Sequence, residues 1–333
     1  MFFPKGFFLI FPLVFFLPFS ALSESNFSFY TQPHFGLTRG HLHEEYFDNF
    51  ESHRLLSQLV WDRNFFTYGA KIGTSYKRFH ADFDFTAGIP SKSGLMTDSD
   101  FMNDSQPEMK TSFSTGDNQL YHSYDFDLAF SFDFYPFSSP ENKLFILSPL
   151  IGLQYQYDSF ERDGGEGWYG EYNQSSDHKH HWWYDEEAKH YPHTYWNSEK
   201  NRYVTQKLGG ITYRRHTFYT WAGFSFLCNV NSHLSVNFST SLSPFTFNSA
   251  TDIHYPSGTE YFGQQFVYFK ALKFGLASSY SFTKHLGLSL NSSIIVFSET
   301  KGDYYKNDKY DSYSQTASSL FIFNVSSGLK VTL

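Results

Sequence analysis

A chain of 333 residues is long enough for one large all-β domain. Its net charge of −8 argues against a nucleic-acid partner, and its single cysteine, Cys228, excludes an internal disulfide framework. Aromatic residues make up 22% of the chain, with 41 Phe and 25 Tyr, yet the mean hydropathy is −0.42, which points to sheets with one greasy and one polar face.

The first 23 residues read as a secretory signal. Lys5 precedes the apolar stretch 7–19, and Ala21-Leu22-Ser23 supplies a small-x-small cleavage pattern. The mature domain is therefore expected over residues 24–333. No later segment is apolar for the ~18 residues that a membrane-crossing helix needs.

From there on the hydrophobic period is two. Phe126, Leu128, Phe130, Phe132 and Phe134 alternate with Asp125, Asp127, Ala129, Ser131 and Asp133. Leu234, Val236 and Phe238 alternate with Ser235, Asn237 and Ser239. Phe321, Phe323, Val325, Leu329, Val331 and Leu333 close the chain in the same way, with Ile322 the one apolar intruder in the polar set. An apolar face without charges, on an exported chain, predicts a transmembrane β-barrel. Short turns near 75–78, 135–142, 231–233 and 284–285 alternate with long polar connections near 48–53, 90–118, 163–201, 251–261 and 301–312. That spacing predicts a ten-stranded antiparallel barrel in the cell outer membrane, with tight periplasmic turns and long extracellular loops.

Two segments carry chemistry. Asp98-Ser99-Asp100 and Asp252-Ile253-His254 each place two ionisable groups at i and i+2, which in extended backbone share a face. Both are read as lying on long connections, hence on one rim. Asp-x-Asp alone also binds metals or solvates a loop, but Asp98, Asp100 and Asp104 lack the glutamate and turn glycine of a calcium loop. Brought together, three carboxylates and an imidazole can activate water with no metal. A third segment, Asp177-His178-Lys179-His180-His181-Trp182-Trp183 running on to His190 and His193, reads as a solvated loop, with metal binding or pH sensing as alternatives.

Taken jointly, the motifs resemble the omptins, outer-membrane endopeptidases that include bacterial plasminogen activators. Gly94 to Met102 resembles their second extracellular loop, and Asp252-Ile253-His254-Tyr255 the fourth. Gly40-His41-Leu42-His43-Glu44 resembles the end of their first strand, and Leu56-Ser57-Gln58-Leu59-Val60-Trp61 the opening of the second. Gln119-Leu120 with Tyr124-Asp125-Phe126-Asp127-Leu128 matches the fourth strand, and Ser327-Gly328-Leu329-Lys330-Val331-Thr332-Leu333 the last.

The resemblance implies a monomeric barrel with a proteolytic groove at its outer end, open to the exterior. It implies Asp252 and His254 as a dyad, faced by Asp98 and Asp100 as a couple, acting on peptide or protein substrates beside basic residues. Glu44 aligns with one acid of the pocket that receives the basic side chain. The second acid should stand two residues before the dyad Asp, where this chain has Ala250. The family also implies lipopolysaccharide as an activating outer-membrane lipid. Arg214 and Arg215 are read as rim salt bridges, with lipid contact as the alternative. A barrel that kept the shape as an adhesin, and a porin, are the competing readings.

Overall fold

The computed structural model describes residues 27–48, 54–134, 144–162, 164–169, 171–174, 180–183, 194–197, 202–205, 210–255 and 258–333. The expected signal segment lies outside them. So does most of the histidine-rich segment, of which the described part, His180–Trp183, pairs with Glu171–Gln174.

Ten staves form a closed antiparallel ring. Six are single strands: Phe27–Asp48, Ser112–Phe132, Phe145–Arg162, Ile211–Asn229, Leu286–Lys306 and Ser314–Thr332. The other four are each broken once: Leu55–Asp62 with Phe65–Tyr76, Phe79–Gly88 with Ser91–Asp100, Leu234–Leu242 with Thr246–His254, and Thr259–Val267 with Ala271–Ser281. The first and tenth staves close the ring in continuous register from Tyr30↔Thr332 to Asp48↔Ser314. Closure leaves no unpaired edge, which the interior of a bilayer requires.

Alternation decides which face meets lipid. Phe35, Phe66, Phe126, Phe130, Ile151, Phe224, Phe238 and Leu290 are exposed on the outside, while Asp125 and Asp127 turn inward to Gln154 and Lys273. A membrane span uses only ~9–11 residues of a strand, whereas the first stave has 22. The upper staves therefore stand clear of the membrane, and their outward residues turn polar: His41, Arg214 and Glu299 are exposed there.

The interior is filled. Leu42, Leu59, Trp61, Met96, Phe160, Tyr213, Phe297, Leu320 and Ile322 form a buried cluster inside the ring. Trp61 stacks on Tyr213 at 5.2 Å between ring centroids and on Phe160 at 6.2 Å. Ile322 is thereby explained: its inward position falls in this apolar layer. Beneath it the lumen is ionic, with Lys71–Asp82 at 3.2 Å and His34–Asp84 at 2.9 Å. Such a packed lumen does not suit an open channel.

Three expected loops turn out to be largely strand, and in 251–261 strand reaches His254 and resumes at Thr259. The segment 90–118 is extended to Asp100 and again from Ser112. The ninth stave runs on to Lys306 and reverses through Asn307 and Asp308, at φ 49° and 62°. Asn and Asp tolerate this left-handed backbone, so a two-residue hairpin replaces a long loop.

Candidate active site

All four expected catalytic residues lie on strand ends and not on loops. Asp98 and Asp100 end the third stave, and Asp252 and His254 end the seventh. Each pair faces inward, as the i, i+2 spacing requires. Strands hold such groups more rigidly than loops do.

The third stave is aimed by a bulge between Lys92 and Leu95. Gly94 adopts φ +113°, and a Cβ there would come within 2.5 Å of Asp62 Oδ2. The Leu95 amide donates to that oxygen at 3.0 Å, while Ser93 Oγ and Asn118 Nδ2 donate to the Asp62 carbonyl at 2.9 and 2.7 Å. From this anchor the register runs to Asp98, opposite Leu59 and Ser114, and Asp100, opposite Ser57 and Ser112. Ser112 Oγ donates to the Asp100 carboxylate, and Thr111 N and Oγ1 donate to its carbonyl at 2.7 and 3.1 Å.

On the seventh stave, Asn248, Ala250, Asp252 and His254 share the inner face. His254 Nε2 donates to Asp252 Oδ2 at 2.8 Å. Asp252 is 1% exposed, whereas the imidazole, with 26% of its side chain exposed, stays within reach of solvent. The Tyr261 ring, opposite Asp252 in register, meets the imidazole edge-on at 5.1 Å. Tyr46 and Tyr304 complete this aromatic wall, with centroids 5.7 and 6.2 Å from Tyr261.

The two walls act on each other. Burial pushes the Asp98 carboxyl up to about 7, helped by the charges of Asp100 and Asp252 and opposed by His254 and Arg162. Burial alone would lower His254; the Asp252 hydrogen bond and the charges of Asp252 and Asp98 outweigh it and raise its pKa. A carboxyl and an imidazole, each with raised proton affinity, thus act on each other from the two walls.

Glu44 lies deeper. It is 1% exposed, and its carboxylate accepts from Thr316 Oγ1 at 2.7 Å and Tyr213 OH at 3.2 Å. Burial pushes it up to about 7, although Thr316, Arg215 and Tyr213 pull it down. Glu45 points the other way and accepts from Gln58 Nε2 at 2.7 Å. Neither role expected for Arg215 holds: it is buried inside the ring, where its Nε donates to Asn248 and Thr217. The sequence reading passed over Arg162, Tyr213 and Tyr261. Arg162 Nη1 donates to Ser114 Oγ at 2.7 Å and to Met96 Sδ at 3.7 Å, beneath Asp98. The alternation Asp158-x-Phe160-x-Arg162 marks it as inward, and Tyr213-x-Arg215-x-Thr217 does the same for its neighbours.

A closed, lipid-faced antiparallel barrel with acids and an imidazole gathered at one end of its strands defines the class: a transmembrane β-barrel of the outer-membrane type. The family model of the omptins matches residues 25–333, and the chain belongs to that family of outer-membrane proteases. Its fold is similar to that of the outer membrane protease OmpT from Escherichia coli, with 18% identity and a TM-score of 0.70 over 92% of this chain and 97% of that one. The translocator domain of the autotransporter NalP from Neisseria meningitidis is a more distant barrel, with 9% identity and a TM-score of 0.31 over 92% of this chain and 88% of that one. OprG from Pseudomonas aeruginosa has 8% identity and a TM-score of 0.30 over 92% and 96%. No curated protein sequence matches the chain.

Proposed function

We propose that the chain is an endopeptidase whose groove faces the exterior and whose nucleophile is a water molecule activated between His254 and Asp98. The observation that carries this reading is the His254–Asp252 bond at 2.8 Å, opposite a carboxyl group, Asp98, held near neutral proton affinity.

Asp252 fixes the imidazole tautomer and raises its basicity. His254 takes a proton from the water, and the hydroxide-like oxygen attacks the scissile carbonyl carbon. The imidazolium then returns the proton to the departing amine as the C–N bond breaks. Asp98, its proton affinity raised by burial and by the charge of Asp100, can keep a proton near neutrality and donate it in a hydrogen bond to the water or the developing oxyanion. No serine, cysteine or metal enters these steps.

Of the preference for basic residues, the pocket retains one acid, Glu44, which is buried and hydrogen-bonded to hydroxyls. For the activating lipopolysaccharide, the outward faces of the described staves offer the exposed guanidinium groups of Arg39 and Arg214. Arg214 acts on His216, whose Nδ1 lies 2.8 Å from Tyr155 OH. The peptidase steps use none of these groups.

The test is to refold the barrel as a single chain, with and without lipopolysaccharide, and to assay it against a peptide library. Cleavage at internal bonds that His254→Ala removes, in a barrel still heat-modifiable on gels, is the expected result. Full cleavage by that variant would overturn the assignment and leave the adhesin reading.

A further inference from the structure

Asp98 and His254 stand on the third and seventh staves, and the fifth stave lies midway between them in the ring. Its last residue, Arg162, pairs with Ile211, and Ile211 pairs with His254, so the three form one row across the fifth, sixth and seventh staves. Residues directly opposed in an antiparallel pair share a face. Arg162 therefore turns into the lumen on the row of the imidazole, and it is 3% exposed.

On its other side the guanidinium reaches across the fourth stave toward Asp98. Arg162 Nη1 donates to Ser114 Oγ at 2.7 Å, and Ser114 is the register partner of Asp98. The same nitrogen donates to Met96 Sδ at 3.7 Å, two residues before Asp98 on the same face. Gly116 opens the way: it pairs with Met96, and a Cβ there would come within 2.9 Å of both Arg162 Cγ and Cδ. Packing alone does not call for a cation here, because an apolar side chain fills such a space without taking a charge out of water. The charge does act on the chemistry. It opposes the rise in proton affinity of Asp98 and of His254, one on each wall.

We infer that Arg162 is a positioning residue of the peptidase site, bracing the strand end that carries Asp98 and giving both catalytic walls a shared, fixed positive charge. The inference rests on the peptidase reading. A guanidinium stays charged throughout the working range, so its field on the imidazole does not change with pH. The other ionisable groups that face the dyad are Asp98 and Asp100 from the third stave, Tyr213 from the sixth, Tyr261 from the eighth, Tyr304 from the ninth, and Glu44 and Tyr46 from the first. The phenols stay neutral, and the acids favour the imidazolium. Arg162 works against the acids.

The experiment measures kcat/KM against pH for the refolded full barrel and its Arg162 variants. Arg162→Met removes both brace and charge. Its kcat/KM should fall by up to ~10²-fold, the effect of a misplaced catalytic group. The limb on which activity rises with pH should move to higher pH, because His254 loses a repelling charge. Arg162→Lys keeps the charge and should leave the limb near its wild-type position. Arg162→Gln keeps a donor for Ser114 without the charge, and supplies the reading if Arg162→Met does not fold. A limb unmoved or lowered in a folded neutral variant, or displaced equally by Arg162→Lys, overturns the proposal; a merely structural residue would lower the rate without moving the limb. If no peptide is cleaved, or His254→Ala cleaves equally well, the peptidase reading fails. The pH dependence of His254 carbethoxylation by diethylpyrocarbonate, read by mass spectrometry, then decides, since only the neutral imidazole reacts. A midpoint higher in the neutral variant than in wild type supports the shared charge, and an equal or lower one ends it.

Discussion

The lumen holds two populations of inward-facing charges, and they are treated differently. Below the rim four acids each have a basic partner: Asp84 takes His34 at 2.9 Å, Asp82 takes Lys71 at 3.2 Å, Asp158 takes Arg63 at 2.8 Å, and Asp127 takes Lys273, while Asp125 is held by the amides of Gln154 and Gln156. At the rim the acids crowd one another. Asp98 feels the charges of Asp100 and Asp252, and Asp252 Oδ1 has no hydrogen-bond partner among the described residues. Paired charges stabilise a structure only when their desolvation is offset. Crowded ones cost stability and shift proton affinities, which is the signature of a functional site. The lower set fills the barrel, and the upper set is available for chemistry.

The comparison breaks most sharply at the dyad. His254→Ala should lower kcat/KM by ~10²–10⁴-fold, the usual range for a lost general base, while thermal unfolding on gels stays close to wild type. The converse is Arg63→Met, which strands Asp158 in the interior. It should destabilise the barrel by ~3–5 kcal/mol in denaturant titration, as breaking a buried pair does. A His254 variant that unfolds, or an Arg63 variant as stable as wild type, would erase the distinction between the two sets.

pH sharpens it further. Activity should rise with pH as His254 gives up its proton, on a limb lying above imidazole's usual 6.5. Asp98→Asn removes a negative charge that raises His254, so the limb should move to lower pH as the rate falls. Asp252→Asn removes a charge and leaves only a neutral amide oxygen to accept from the imidazole, so its limb should move further. A limb that stays put in both variants would mean that another group titrates.

Smaller effects come from the supports. Gly94→Ala puts a Cβ at φ +113° against Asp62, and should cost ~1–3 kcal/mol and some activity through misaimed Asp98. Glu44 should give the stability a pH dependence. Its carboxyl rises from 4.5 to about 7 on folding, so the stabilisation is full below 4.5 and is lost as pH rises through 7. Glu44→Gln should therefore compare better with wild type above pH 7 than at pH 4. An equal difference at both pH values would show that Glu44 is not buried as described.

Much of this was legible from residue order. Phe126, Phe130 and Phe238 face outward because period-two alternation on an exported chain has one stable solution in lipid. Asp98 with Asp100, and Asp252 with His254, share faces because extended backbone places i and i+2 side by side. The bounds of the loops were not legible. Asp98 and His254 stand on strands because the bulge at Gly94 and the hairpin at Asn307-Asp308 let polar sequence continue in register above the membrane, where no hydrophobic alternation marks it.

Strand period, lipid-facing side and the membership of each acid pair follow from local backbone geometry, which any stretch of the chain carries within itself. The meeting of Asp98 with His254, the near-neutral proton affinity of Asp98 and Glu44, and the turning of Arg215 inward beneath Ala250 depend on staves far apart in sequence. Desolvation and like-charge crowding arise only when those walls close around the same small volume, so they belong to the assembled barrel.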